Sequence, residues 1–235
     1  WARDEGFTAV KFDPIPDDAQ SLSLPNLLSS TVSHATAIRE VVGDDIDMIF
    51  ELHRKLTPLQ AKPLMDALSE LTPLFIEDPL QIDDFDAQAL IASTYSGPVG
   101  VGERMHTVWE FNDILARGGA QYVRPDLGTA GGISHVKKIA AVAEAHSATL
   151  VTHNCLGPIL TAAAAHIDAS IRARLPDDKI SISILRTAPD IEYLRITMIR
   201  EHGTQEFPLC WQHHRFSSPT KRLFLPIPII VRRLT

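Results

Sequence analysis

Ile46–His53 reads IDMIFELH, an apolar run that closes on two ionisable residues, Glu51 and His53. Read as a strand, it carries those two residues to the same side, because side chains two positions apart share a strand face. A carboxylate and an imidazole at the C-terminal end of a buried strand are the ingredients of a reactive site. The same event recurs downstream. LFIEDP puts Glu77 at the end of an apolar run and VGVGER puts Glu103 at the end of another, so Glu51, Glu77 and Glu103 follow one another at intervals of 26 residues. That interval matches one strand, one helix and two loops of a βα repeat. Three carboxylates are thereby predicted to share one rim.

Working outward, the chain alternates strand and helix patterns. Thr8–Phe12 is a short strand with Lys11 and Asp13 on one side, and residues 14–30 read as a long loop broken by Pro14, Pro16 and Pro25. Ser33–Val42 is predicted as a helix stopped by Gly43. After the Ile46–His53 strand, Thr57 and Pro58 provide an N-cap and a proline at the first helical position, with Leu64, Ala67, Leu68 and Leu71 as the buried stripe. The pattern then gives a strand ending at Glu77, a helix over Asp86–Ser93, and a strand leading to Glu103. Thr107 and Glu110 form a capping-box pattern for the helix that follows. Gln121–Arg124 and Ala148–Thr152 are predicted strands, each followed by a helix, over Ile133–His146 and Pro158–Ser170.

Regular βα alternation implies a parallel sheet, either open and doubly wound or closed as a barrel. Ionisable residues at successive strand ends favour the barrel, whose active site is built from that rim. The fold class is therefore α/β, an incomplete (β/α)8 barrel over residues 1–185. The opening on Trp1 within a few residues of a strand pattern leads us to expect missing N-terminal sequence, with no first strand and no capping domain. Beyond residue 185 the register is lost. Residues 186–235 carry eight Lys and Arg against four Asp and Glu, reversing the acidic balance of the preceding part, and are expected to form a divergent, irregular tail.

Composition excludes several function classes. The 235 residues are 45% hydrophobic with a formal net charge of −7, which suits a globular domain and argues against general binding of nucleic acid or anionic membrane. No apolar run approaches the roughly 20 residues of a membrane span, and the cytoplasm is the expected location. Two cysteines, Cys155 and Cys210, are too few for a disulfide framework. Cys210 with His213 and His214 lacks the second spaced ligand pair of a structural zinc site.

Three carboxylates at one point repel one another unless a cation sits among them, and an all-oxygen set selects a hard ion such as Mg²⁺. Taken singly, each glutamate reads more readily as a surface or salt-bridged residue; equal spacing at three apolar strand ends reverses that balance in favour of the ion. Asp126 and His153 end the next two predicted strands. A carboxylate beside a histidine orients the ring and raises its basicity, although a helix-capping aspartate and an unrelated loop histidine would give the same residues.

The runs VKFDP, ELHRKLTP, FIEDPL, GERMHT, YVRPDLGTAGGISHVKKIAAVAEAH and THNCLGP, in that order, resemble the enolase superfamily in its mandelate racemase group, most of all the galactonate dehydratase-type sugar-acid dehydratases. The resemblance covers roughly residues 6–168. It implies a (β/α)8 barrel and Mg²⁺ held by Glu51, Glu77 and Glu103. It also implies a His153–Asp126 pair that removes the proton α to a substrate carboxylate, and His53 as the acid that assists departure of the β-hydroxyl. Lys11, Asp13 and Arg54 fall where substrate contacts are expected; Asp13 replaces the second lysine of the racemases. The implied reaction belongs to carbohydrate acid catabolism, turning an aldonate such as galactonate into a 2-keto-3-deoxy acid. The alternatives kept open are a non-catalytic metal- or partner-binding remnant and a same-superfamily epimerase or cycloisomerase. The expected partner is a small sugar acid, with self-association left open.

Overall fold

The computed structural model describes residues 8–155 and 157–171. Within them the chain runs β1 (Ala9–Phe12), α1 (Leu24–Val42), β2 (Asp47–Glu51), α2 (Pro58–Ser69), β3 (Phe75–Glu77), α3 (Phe85–Thr94), β4 (Val99–Val101), α4 (Val108–Ala116), β5 (Tyr122–Val123), α5 (Gly132–Ala145), β6 (Thr149–Leu150) and α6 (Pro158–Ser170). The six strands form one parallel sheet in the order β1-β2-β3-β4-β5-β6. An open doubly wound sheet reverses its strand order part-way, whereas here every crossover advances by one strand and neighbouring helices pack in the same sequence. The sheet is therefore an arc of a (β/α)8 barrel.

Strand alternation sorts the side chains into two layers. Met48, Phe50, Ile76, Val99, Val101 and Val123 join the large core beneath the helices. The intervening residues Ile49, Phe75, Tyr122 and Val151 form a separate small cluster on the other face. There the Phe75 and Tyr122 rings stack with centroids 4.4 Å apart, and they meet because Gly100 on the strand between has no side chain; a Cβ there would lie 2.7 Å from the Phe75 ring. Above this apolar floor the same phase of alternation delivers Glu51 and Glu77, which are paired directly across β2 and β3.

Two predicted boundaries are corrected. Helix α1 begins at Leu24 rather than Ser33, so the predicted loop over residues 14–30 is shorter. Pro25 lies in the first turn, where its missing N–H leaves no bond unmade, and Leu27, Thr31 and Ala35 supply a buried stripe at helical spacing. Strand β2 ends at Glu51, not His53. His53 and Arg54 adopt left-handed backbone conformations, φ 50° and 60°, so they lie in a turn and strand alternation does not govern their direction. The capping box of Thr107 and Glu110 forms as predicted. No helix among the described residues is long and apolar enough to cross a membrane. The boundary expected at residue 185, the tail and its Cys210, His213 and His214 lie outside the described residues.

Candidate active site

At the C-terminal ends of β2 and β3, and two residues beyond β4, stand Glu51, Glu77 and Glu103, each offering a carboxylate oxygen within 4.8 Å of the others. Glu51 and Glu77 are fully buried. Glu103 reaches the same point through Gly102, whose φ of 139° turns the chain sharply after the strand.

Such a group of charges is tolerated because cations surround it. Lys11, from the neighbouring β1, donates to Glu51 Oε2 at 2.5 Å and to Glu77 Oε2 at 2.7 Å. Arg124, immediately after β5, donates through Nε to Glu77 Oε1 at 2.9 Å. Arg54 bridges Glu103, at 2.7 Å, and Asp78. Burial alone would raise the pKa of Glu77, yet Arg124 and Lys11 hold it down to about 2. Glu51 moves the other way, because burial and the adjacent Glu77 charge outweigh Lys11. Asp78 is pushed up to about 8 by burial and by the charges of Glu51 and Glu77, against the pull of Arg54.

On the next two strand ends the predicted pair meets. Asp126 and His153 face each other in a parallel bridge that extends the β5–β6 ladder. His153 Nδ1 lies 2.9 Å from Asp126 Oδ2, and its Nε2 lies 3.0 Å from Glu103 Oε2. Asp126 is itself fixed by accepting the Gly128 N–H at 2.7 Å. Burial opposes the charged ring, but the two carboxylates outweigh it and raise the pKa of His153. The same contact, with Arg54 nearby, holds Glu103 well below the usual carboxylate range despite its burial.

His53 occupies the opposite flank of the acid group. Its Nδ1 lies 2.7 Å from Asp13 Oδ2, which also accepts from Lys55 at 2.6 Å. The bond to Asp13 is the main reason the His53 pKa is raised, with Glu51 adding to it. The His53 backbone N–H donates to Glu51 Oε1 at 3.0 Å, so the turn and the acid are tied together. All nine residues singled out from sequence thus lie around one rim.

Arg124 and Asp168 were not foreseen. Beyond its bond to Glu77, Arg124 donates through Nη1 to the carbonyls of Val151 and Thr152, each at 3.2 Å. Asp168 of α6 accepts from the Thr152 hydroxyl at 2.6 Å and from its N–H at 3.3 Å, and burial pushes its pKa up to about 6. The backbone just before His153 is therefore gripped from both sides. A charged residue in phase with Tyr122 inside an apolar strand was the available signal for Arg124.

A hard divalent cation suits this acid group. Three carboxylates with oxygens in mutual reach match the oxygen-only ligation of such ions, and the Lys11 ammonium already lodged between two of them marks the spot as one that takes positive charge.

Comparison with known proteins agrees with this architecture. The chain is 34% identical over 190 residues to D-galactonate dehydratase of Xanthomonas oryzae pv. oryzae, an alignment covering 80% of this chain and 50% of that protein. A mandelate racemase/muconate lactonizing enzyme-like protein from Roseovarius sp. TM1035 superposes with a TM-score of 0.71 at 35% identity, over 79% of this chain and 46% of that one. An enolase from Agrobacterium radiobacter, bound to sodium and L-malate, superposes with a TM-score of 0.70 at 29% identity, over 80% and 48%. The chain spans about half the length of the curated relatives it matches. The profile of the enolase C-terminal domain-like family matches residues 1–199, and the chain belongs to that family.

Proposed function

We propose that the chain catalyses Mg²⁺-dependent dehydration of a sugar acid, an aldonate such as galactonate, to a 2-keto-3-deoxy acid. The observation that carries the reading is His153 wedged between Asp126 and Glu103, which puts a candidate base in contact with the acid group. Glu51, Glu77 and Glu103 would hold the ion, which when bound supplies Lewis-acid stabilisation of charge developing on the substrate carboxylate.

The remaining work falls to side chains. His153 takes the α-proton on Nε2, the ring nitrogen turned away from Asp126, while Asp126 holds Nδ1–H and so fixes the tautomer. Lys11 offers its ammonium to the substrate carboxylate. His53, whose protonated form the bond to Asp13 favours, donates to the departing β-hydroxyl as water leaves. Arg54, clamped between Asp78 and Glu103, fixes the orientation of Glu103 and presents its remaining N–H groups to substrate oxygens. The placement of a proton donor on the flank opposite the base is what elimination of the β-hydroxyl as water requires.

The test is incubation of the chain with a panel of aldonic acids and Mg²⁺, with assay for 2-keto-3-deoxy products. Product from at least one aldonate, lost on chelation of the metal, is expected. Binding of Mg²⁺ with no product from any acid would leave the metal-binding remnant as the better description.

A further inference from the structure

Cys155 follows His153 by two residues and is exposed at the rim. A thiol sulfur, a nitrogen of His153 and a carboxylate oxygen of Asp126 all lie within 4.8 Å of one another. This group differs in kind from the three glutamates. It offers one sulfur, one nitrogen and one oxygen, a set that suits a borderline cation, not Mg²⁺. Zn²⁺ binds such ligands at about 2.0–2.3 Å in a tetrahedron, so the three atoms would draw in around the ion and leave its fourth position open.

We propose that Asp126, His153 and Cys155 form a second cation site, selective for Zn²⁺-like ions and separate from the glutamate site. On binding, a sulfur–metal bond forms and the thiol proton passes to solvent. Asp126 and Glu103 place negative charge near the thiol. The same negative surroundings attract a divalent cation, which deprotonates the thiol it binds. An ion held there engages His153 and removes it as a proton acceptor, so the site is inhibitory; that consequence rests on the base assignment above, whereas the binding does not.

The experiment titrates the full chain with Co²⁺ in saturating Mg²⁺. One Co²⁺ per chain is expected, with thiolate-to-cobalt absorption that disappears in Cys155→Ser and persists in Cys210→Ser. Zn²⁺ should displace Co²⁺. Loss even of a residue that only supports a ligand weakens metal binding by about 10–100-fold, so Cys155→Ser should lower Zn²⁺ affinity at least tenfold while leaving Mg²⁺ affinity unchanged. In a second measurement Zn²⁺, unlike Mg²⁺, should slow alkylation of Cys155 read by mass spectrometry. Absorption that survives in Cys155→Ser, or is absent from the unsubstituted chain, overturns the proposal, as does alkylation indifferent to Zn²⁺. Because these readouts need no turnover, their failure is distinguishable from failure of the dehydratase reading.

Discussion

Replacing Arg124 by methionine should cost several kcal/mol of stability. The guanidinium is almost wholly buried and serves three acceptors: Glu77 at the end of β3 and the carbonyls of Val151 and Thr152 just beyond β6. Removing one partner of a buried ion pair costs about 3–5 kcal/mol, because the other charge is left uncompensated. Each carbonyl also loses a bond with a net worth of about 1 kcal/mol. Methionine refills much of the volume, and Lys11 remains to neutralise Glu77, so the expected loss is about 4 kcal/mol. Arg124→Lys keeps the charge without the fork that reaches all three acceptors, and should fall in between, at about 2 kcal/mol. Urea unfolding followed by far-ultraviolet ellipticity measures both. A loss below about 1 kcal/mol for Arg124→Met, the range of an exposed pair, would refute the claim that this residue ties the acid group to the strand bearing His153.

Further outcomes follow from the same geometry. Glu77→Gln should weaken Mg²⁺ binding strongly in calorimetric titration, because one of three anionic ligands becomes neutral; equal affinity would remove the proposed site. Gly102→Ala should destabilise by about 1–3 kcal/mol from backbone strain alone, with more from a Cβ placed 2.9 Å from the Arg124 backbone nitrogen and 2.7 Å from the Phe111 ring; unchanged thermal stability would contradict it. His53→Asn, which suits the left-handed backbone, should remove a pH-dependent contribution. The His53 part is full below pH 6.5 and lost as pH rises through its raised folded pKa; the Asp13 part is present above 3.8 and lost as pH falls through its lowered one. The stability gap between unsubstituted chain and variant should therefore be widest between those limits, and a gap independent of pH would refute it.

The strand ends were legible in the sequence because alternation and a fixed repeat act locally. Glu51, Glu77 and Glu103 each close an apolar run, and Asp126 and His153 close the next two, so one barrel rim gathers all five. Helix α1 was read too short because Pro25 and the serines around it resemble loop composition, although proline is tolerated in a first helical turn. His53 was placed on the strand since φ at a strand end has no sequence signature unless glycine marks it. Arg124 was missed for a different reason. Its partners lie 47 and about 27 residues away, on β3 and beyond β6, and only the register of three strands brings them together. Lys11 was read from the sequence as a substrate contact, and its bonds to Glu51 and Glu77 were not foreseen, because they depend on β1 pairing beside β2.

The central claim is that His153 removes an α-proton beside an ion held by the three glutamates. Exchange of the C2 proton of galactonate with deuterated solvent, followed by NMR in the presence of Mg²⁺, tests it most directly. The unsubstituted chain should exchange that proton, His153→Asn should not, and His53→Asn should still exchange it while forming no 2-keto-3-deoxy product. Exchange that persists in His153→Asn but disappears in His53→Asn would contradict the account.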